Sequence, residues 1–174
     1  YKVVLTDKQD FYTPTNFTAQ TLTYQRANTA GYNSVCLPFA IHATDFGAGA
    51  KLEAYTQINE SKVNFTTITD NNEAGRPCLV YCPADVTEWN IEKTDAYVVA
   101  NPSSYGDGNA TLYGAFTNNN IGAGCYKLSA DGNALGITSE KGKVTAFRCY
   151  LKPTGMGQAP QRLFVIHDDA ATTG

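Results

Sequence analysis

The chain has 174 residues, 43% of them apolar and 17% charged, with a formal net charge of −3. This length favours one domain with a core of its own, and the sparse, slightly acidic charge excludes the clustered basic surface that nucleic-acid binding requires. No run approaches the roughly 20 apolar residues of a membrane span.

The elements follow in chain order. The opening "YKVVLT" has the texture of a strand and no signal peptide is present. The chain is therefore expected to be a mature fragment of an extracytoplasmic protein, secreted or at the cell surface. Further strands are predicted over 17–24, 34–41, 51–57, 63–69, 77–82, 96–100, 111–117, 125–129, 144–151 and 162–167, where Thr, Tyr, Val and Ile concentrate. Turn residues separate them in "NTAGYN", "TDNNEAGRP", "NPSSYGDGNA", "TNNNIGAG" and "SADGNALG". Helical periodicity is confined to a turn or two near 44–50. About a dozen short strands with Gly, Asn and Pro punctuation predict an all-β fold. The expected architecture is a two-sheet antiparallel β-sandwich, jelly-roll-like. It forms a single domain over residues 1–168, with 169–174 beginning a C-terminal tail.

Five cysteines are present: Cys36, Cys78, Cys82, Cys125 and Cys149. An odd number leaves at least one thiol unpaired. Cys78 and Cys82 lie four apart on one predicted strand, ~13 Å along it, which is beyond disulfide reach. A nucleophilic cysteine needs a partner that depresses its pKa. The chain has two histidines, His42 and His167. His42 follows Cys36 by six residues, ~20 Å of extended strand, and His167 in "VIHDD" reads as a strand end running into a solvated tail. Cys36 is therefore expected to be a core residue, because free cysteine packs as a small hydrophobe. A Cys36–Cys149 disulfide is the alternative.

Other candidate chemistry is thin. Asp85 and Glu88 flank the single Trp, Trp89, which could stack on a sugar; the plain reading is a surface loop with solvated charges. Asp168 and Asp169 read as a frayed end. Calcium candidates are Asp107 and Asn109 in "YGDGNAT" and Asp70 in "TDNNE". Neither segment completes a calcium loop, so no metal site is expected. No phosphate-cradling loop or nucleophile elbow occurs, so no cofactor is expected. Three aromatics, Tyr32, Trp89 and Tyr105, fall in turn-like segments, where exposed rings can grip sugars or partners. They are the candidate ligand-binding residues. Arg148 faces the opposite side from Phe147 and Cys149. It reads as a solvated charge, with a buried pair to a carboxylate such as Glu53 as the alternative.

Several segments occur in a familiar order: "YNSVCLPFAI", "DFGAGAKLEAYT", "KVNFTTIT", "EAGRPCLVYCPAD", "GDGNATLYGAFT", "CYKLSADG" and "VTAFRCYLKPTG". Together they resemble a domain that recurs in secreted and surface proteins of gut and oral Bacteroidetes. The resemblance spans essentially the whole chain, with its motifs at 37–39, 75–81, 113–116, 126–132 and 146–151. It implies an outer-surface or periplasmic location and transfers no catalytic residue. The family pattern commonly carries Tyr, Val or Ala at positions 78, 82, 125 and 149, which implies that these cysteines are packing residues. The expected function is a non-enzymatic module for adhesion or for binding a glycan, or a host or surface protein, within a larger protein. The alternatives are a hydrolase, either a carboxylate glycosidase or a cysteine enzyme using Cys36 or Cys125 with His167, and a purely structural spacer.

Overall fold

The structure, a computed structural model, describes residues 1–154 and 159–169. The expected tail therefore lies, beyond residue 169, outside the described residues. The described residues form β1 (Lys2–Thr6), β2 (Phe17–Ala27), β3 (Gly31–Val35), β4 (Lys51–Asn59), β5 (Lys62–Ile68), β6 (Cys78–Cys82), β7 (Glu88–Val98) and β8 (Ser104–Gly106). They continue through β9 (Ala110–Ala115), β10 (Asn119–Asn120), β11 (Tyr126–Leu128), β12 (Ala134–Ile137), β13 (Lys143–Val144), β14 (Arg148–Pro153) and β15 (Arg162–Asp168). One 3-10 turn, Ala43–Phe46, is the helical element near 44–50. His42 caps it: its Nδ1 accepts from the Thr44 amide at 3.2 Å while its own amide donates to Asp45 at 2.8 Å.

The fold is all-β. A ten-stranded sheet runs in the order β3-β6-β4-β5-β15-β12-β11-β14-β9-β8, and a three-stranded sheet runs β1-β2-β7. Most pairings are antiparallel, as expected, but β1 lies parallel to β2 and β15 parallel to β5. The second of these is a late insertion: the chain returns after about a hundred residues and slots β15 between β5 and β12. Such a connection has no short-range signal, because parallel neighbours need a long crossover.

Two cores result. The three-stranded sheet packs on the β3-β6-β4 flank of the large sheet, sandwich fashion, around Leu22, Tyr24, Val80, Trp89 and Phe147. The remainder of the large sheet curls around a second core containing Tyr55, Phe65, Leu112, Tyr126 and Leu151. Its far strands approach across that core, with β14 touching β3 and β9 touching β4. Strand β6 is the wall between the cores. Cys78, Val80 and Cys82 face the first, and Leu79 faces the second. Burial on both faces is why "CLVYC" reads as a continuous apolar run without polar alternation.

Two predicted strands change shape. The strand expected over 34–41 ends at Val35. The next residues are coil held by backbone bonds, from the Gly75 amide to Leu37 O at 2.8 Å and the Val99 amide to Pro38 O at 2.9 Å. The strand expected over 144–151 is split, because Phe147 is buried with φ +69. That conformation is uncommon for a bulky residue and interrupts any ladder. There the Phe147 amide donates to Ala115 O and its carbonyl accepts from the Cys36 amide.

Candidate functional site

Strand parity assembles a polar cluster at one end of the second core. On β4, Glu53 shares the inward face with Tyr55; on β15, His167 shares it with Leu163 and Val165. The register then places Tyr32 opposite Tyr81, Lys51 opposite Tyr81, and Glu53 opposite Thr67. Five neighbouring strands, β3, β6, β4, β5 and β15, thus contribute inward side chains to one cleft of about 430 Å³.

Glu53 is 2% exposed and meets His167 Nδ1 at 2.5 Å. The other ring nitrogen, Nε2, lies 3.2 Å from Gly132 O. The imidazole stacks on Tyr32 with centroids 4.0 Å apart, and Tyr81 packs on the same tyrosine at 4.9 Å. Gly132, at φ +75, closes the β11–β12 hairpin over this stack; a Cβ there would fall 2.4 Å from the Tyr32 ring. Tyr32 is therefore a fixed wall between His167, Tyr81 and the hairpin. Burial, with help from Glu53 and Tyr81, raises its hydroxyl to about 12, so it stays a neutral donor.

Burial also raises the Glu53 carboxyl above its ordinary value near 4.5, against the opposing pull of His167. The folded state then holds this proton more tightly than the unfolded chain does. Its contribution to stability is present below pH about 4.5 and is lost as pH rises through the folded value. Melting curves of wild type and Glu53→Gln should diverge accordingly, with wild type losing ground to the variant as pH rises above 4.5. Parallel curves would contradict this assignment.

A second cleft, of about 390 Å³, lies on the other side of Tyr32 and includes Arg26, Asn33, Lys127 and Arg148. Behind it sits a partly buried charge cluster. Asp7 takes both guanidinium nitrogens of Arg148, at 2.7 and 3.1 Å, and accepts from the Tyr24 hydroxyl at 3.0 Å. Burial raises the Asp7 carboxyl, but Arg148 and Arg26 more than offset this and hold it below the ordinary range. Arg148 is thus the paired charge, not the solvated one, and its partner is Asp7. The candidate partner Glu53 belongs to His167.

The three expected ligand-binding aromatics separate. Tyr32 lines both clefts. Trp89 lies in β7, 2% exposed; its indole N–H donates to Cys82 Sγ at 3.1 Å and its ring meets Phe46 edge to face. Buried there, it offers no face to a sugar. Its segment resembles a loop because the outward positions of β7 carry Glu88, Asn90 and Glu92 while Trp89 and Ile91 point inward. Tyr105 sits on the edge strand β8 beneath the Arg76 guanidinium, 4.5 Å from the ring centroid, and does not line the Tyr32 clefts.

The calcium candidates also have protein partners. Asp107 accepts from the amides of Ile58, Asn109 and Ala110 and from the Tyr55 hydroxyl, all at 2.9–3.0 Å. It ties the β8–β9 turn to β4. Asp70 accepts from the neighbouring Asn71 amide in an exposed turn. No group of three metal-ligating side chains occurs among the described residues.

All five cysteines are free and buried. Cys36 is fully buried with Sγ donating to Gly75 O at 3.3 Å, and burial raises its thiol far above normal. The disulfide alternative is absent. His167 has both ring nitrogens engaged, and no cysteine lines its cleft, so the cysteine–histidine pair is not assembled. Native protein should therefore resist iodoacetamide at neutral pH and expose five reactive thiols on denaturation. Rapid labelling of one native site would contradict the burial.

Sequence reasoning missed Arg26 and Tyr81 and underrated Glu53 and His167. The signal was parity: Glu53 in "KLEAY" and Arg26 in "TYQRA" lie two residues from the core residues Tyr55 and Tyr24 and so share their inward face. No protein-family model, curated protein or solved structure matches this chain.

Proposed function

We propose that this chain is a non-catalytic binding module of an extracytoplasmic protein, and that its ligand is a glycan seated in the Tyr32–Tyr81–His167 cleft. The observation that carries this reading is the cleft itself: half-buried tyrosines fixed by stacking, beside a buried carboxylate and an imidazole. Aromatic rings offer apolar faces to sugar C–H groups, while Glu53 and His167 suit hydroxyls. The sequence resemblance supports the extracytoplasmic setting.

The hydrolase reading is less well supported. A glycosidase needs two carboxyls facing one bond across ~5 to 10 Å. Glu53 and Asp168 both line the cleft, but Glu53 is held by His167 and Asp168 takes the Asn64 side-chain amide at 2.8 Å, so both carboxyls are engaged within the protein. Among the described residues no helix is long and apolar enough to cross a membrane.

The test is a glycan array with the purified chain, spanning host mucin and plant polysaccharides. A reproducible hit lost in Tyr81→Ala and weakened in Glu53→Gln, with Trp89 untouched, is the expected result. A blank array, or a hit indifferent to both substitutions, would overturn the reading. Cleavage of a bound glycan, abolished by Glu53→Gln, would replace it with the glycosidase.

A further inference from the structure

Charge is unevenly shared between the clefts on either side of Tyr32. In a chain of net charge −3, the second cleft is lined, among the described residues, by three cations, Arg26, Lys127 and Arg148, and by no carboxylate. The Glu53 cleft, by contrast, is lined by three carboxylates.

Arg26 carries the argument. It lies at the end of β2 on the inward face, 9% exposed, with its guanidinium 4.9 Å from the Trp89 ring centroid. Its hydrogen bonds run to neutral acceptors, Ser34 O and Asn33 Oδ1, both at 3.2 Å. No carboxylate among the described residues forms an ion pair with it. The half-buried carboxylate nearby, Asp7, is held bidentate by Arg148. Tyr24, fully buried, is kept neutral by its environment. One buried guanidinium, Arg26, and one half-buried guanidinium, Arg148, therefore share one carboxylate, and the cluster retains a positive charge. Buried charges are ordinarily paired, and a desolvated guanidinium beside an open cleft is an anion receptor in the making. The third cation, Lys127, is exposed on β11 at the rim.

We propose that the Arg26–Arg148–Lys127 cleft binds the anionic group, carboxylate or sulfate, of an acidic saccharide. The anion part stands on the cleft; the saccharide part rests on the glycan reading of the neighbouring Tyr32 surface. A volume of about 390 Å³ suits one sugar unit. Tyr32 forms the shared wall, so a chain of sugars crossing it would meet an acidic subsite on one side and hydroxyl-accepting groups on the other.

The experiment is a titration of the ¹⁵N-labelled chain with D-glucuronate, D-glucose 6-sulfate, D-glucose and acetate, reading the arginine side-chain Nε–Hε signals. Glucuronate or the 6-sulfate should shift the Arg26 and Arg148 signals and bind at least about tenfold more tightly than glucose. The stronger of the two identifies the anionic group. Added salt should weaken binding, since a partly exposed cation contributes. Lys127→Ala should lower affinity roughly two- to fivefold without changing the melting temperature. This exposed position keeps the test valid if Arg26 variants fail to fold. Arginine signals unmoved by both acids, or glucose binding as tightly as they do, would overturn the proposal. If a neutral glycan still bound through Tyr81 in that case, the acidic specificity would fall while the glycan reading stood. Acetate shifting the arginines as strongly as glucuronate, with no glycan bound on the array, would overturn the saccharide part.

Discussion

Asp7→Ala is expected to destabilise the protein by about 3 kcal/mol, at the lower end of what breaking a buried ion pair costs. The carboxylate is the sole charge partner of Arg148 among the described residues, with side-chain exposures of 15% and 18% for the pair. It also lies close enough to Arg26 for that cation to help lower its pKa. Its loss leaves two guanidiniums facing each other out of water. Partial access of solvent keeps the cost from the upper end of the range. For a chain of this size the melting temperature should fall by roughly 6–12 °C. Asp7→Asn, which keeps an oxygen acceptor for the Tyr24 hydroxyl, should cost less. The pH dependence has a definite sign. A carboxyl held below its ordinary value stabilises the fold above the unfolded pKa, and that stability disappears as pH falls through the folded value. Wild type should therefore lose stability below pH about 4 faster than Asp7→Asn does. This window is separate from that of Glu53, whose raised carboxyl acts above 4.5. Equal melting temperatures for wild type and Asp7→Ala would show that the pair contributes nothing.

Gly114→Ala is the second large effect. Gly114 is the penultimate residue of β9, and a Cβ there would sit 2.2 Å from Cys36 Sγ and 2.8 Å from Cys36 Cβ. Neither side can retreat freely. Cys36 is held by the hydrogen bond from its backbone amide to Phe147 O, and β9 is paired with β14 along its length. Overpacking of a filled core costs about 1–3 kcal/mol, occasionally more, and this clash belongs at the upper end. Combining the change with Cys36→Ala removes the sulfur that is struck first. The double variant should recover at least about 1 kcal/mol over the additive expectation. Chemical denaturation of the four-member cycle reads this directly, and strict additivity would mean that the sulfur is not the obstacle. The same geometry explains why a cysteine suits position 36: it is small enough to lie against a strand glycine.

Strand content and punctuation were legible locally. Alternation in β2 and β5, and the turn residues that separate the strands, depend only on neighbours a few positions away. Three short strands, β8, β10 and β12, were hidden because two to four residues carry too little pattern to outweigh Gly and Asn. The buried character of Cys36 was also legible, since nothing near it in the chain could activate a thiol.

What the sequence determined by itself was the all-β class and the burial of the cysteines, because each follows from composition and short-range spacing. The tertiary structure alone decided the site. Glu53 meets His167 across 114 residues, and Arg148 meets Asp7 across 141. Both unions depend on strand order: the parallel insertion of β15 beside β5, and the docking of the β1-β2-β7 sheet on the flank of the large one. Strand order is set by the packing of two complete cores, a property of the whole chain that no local window contains.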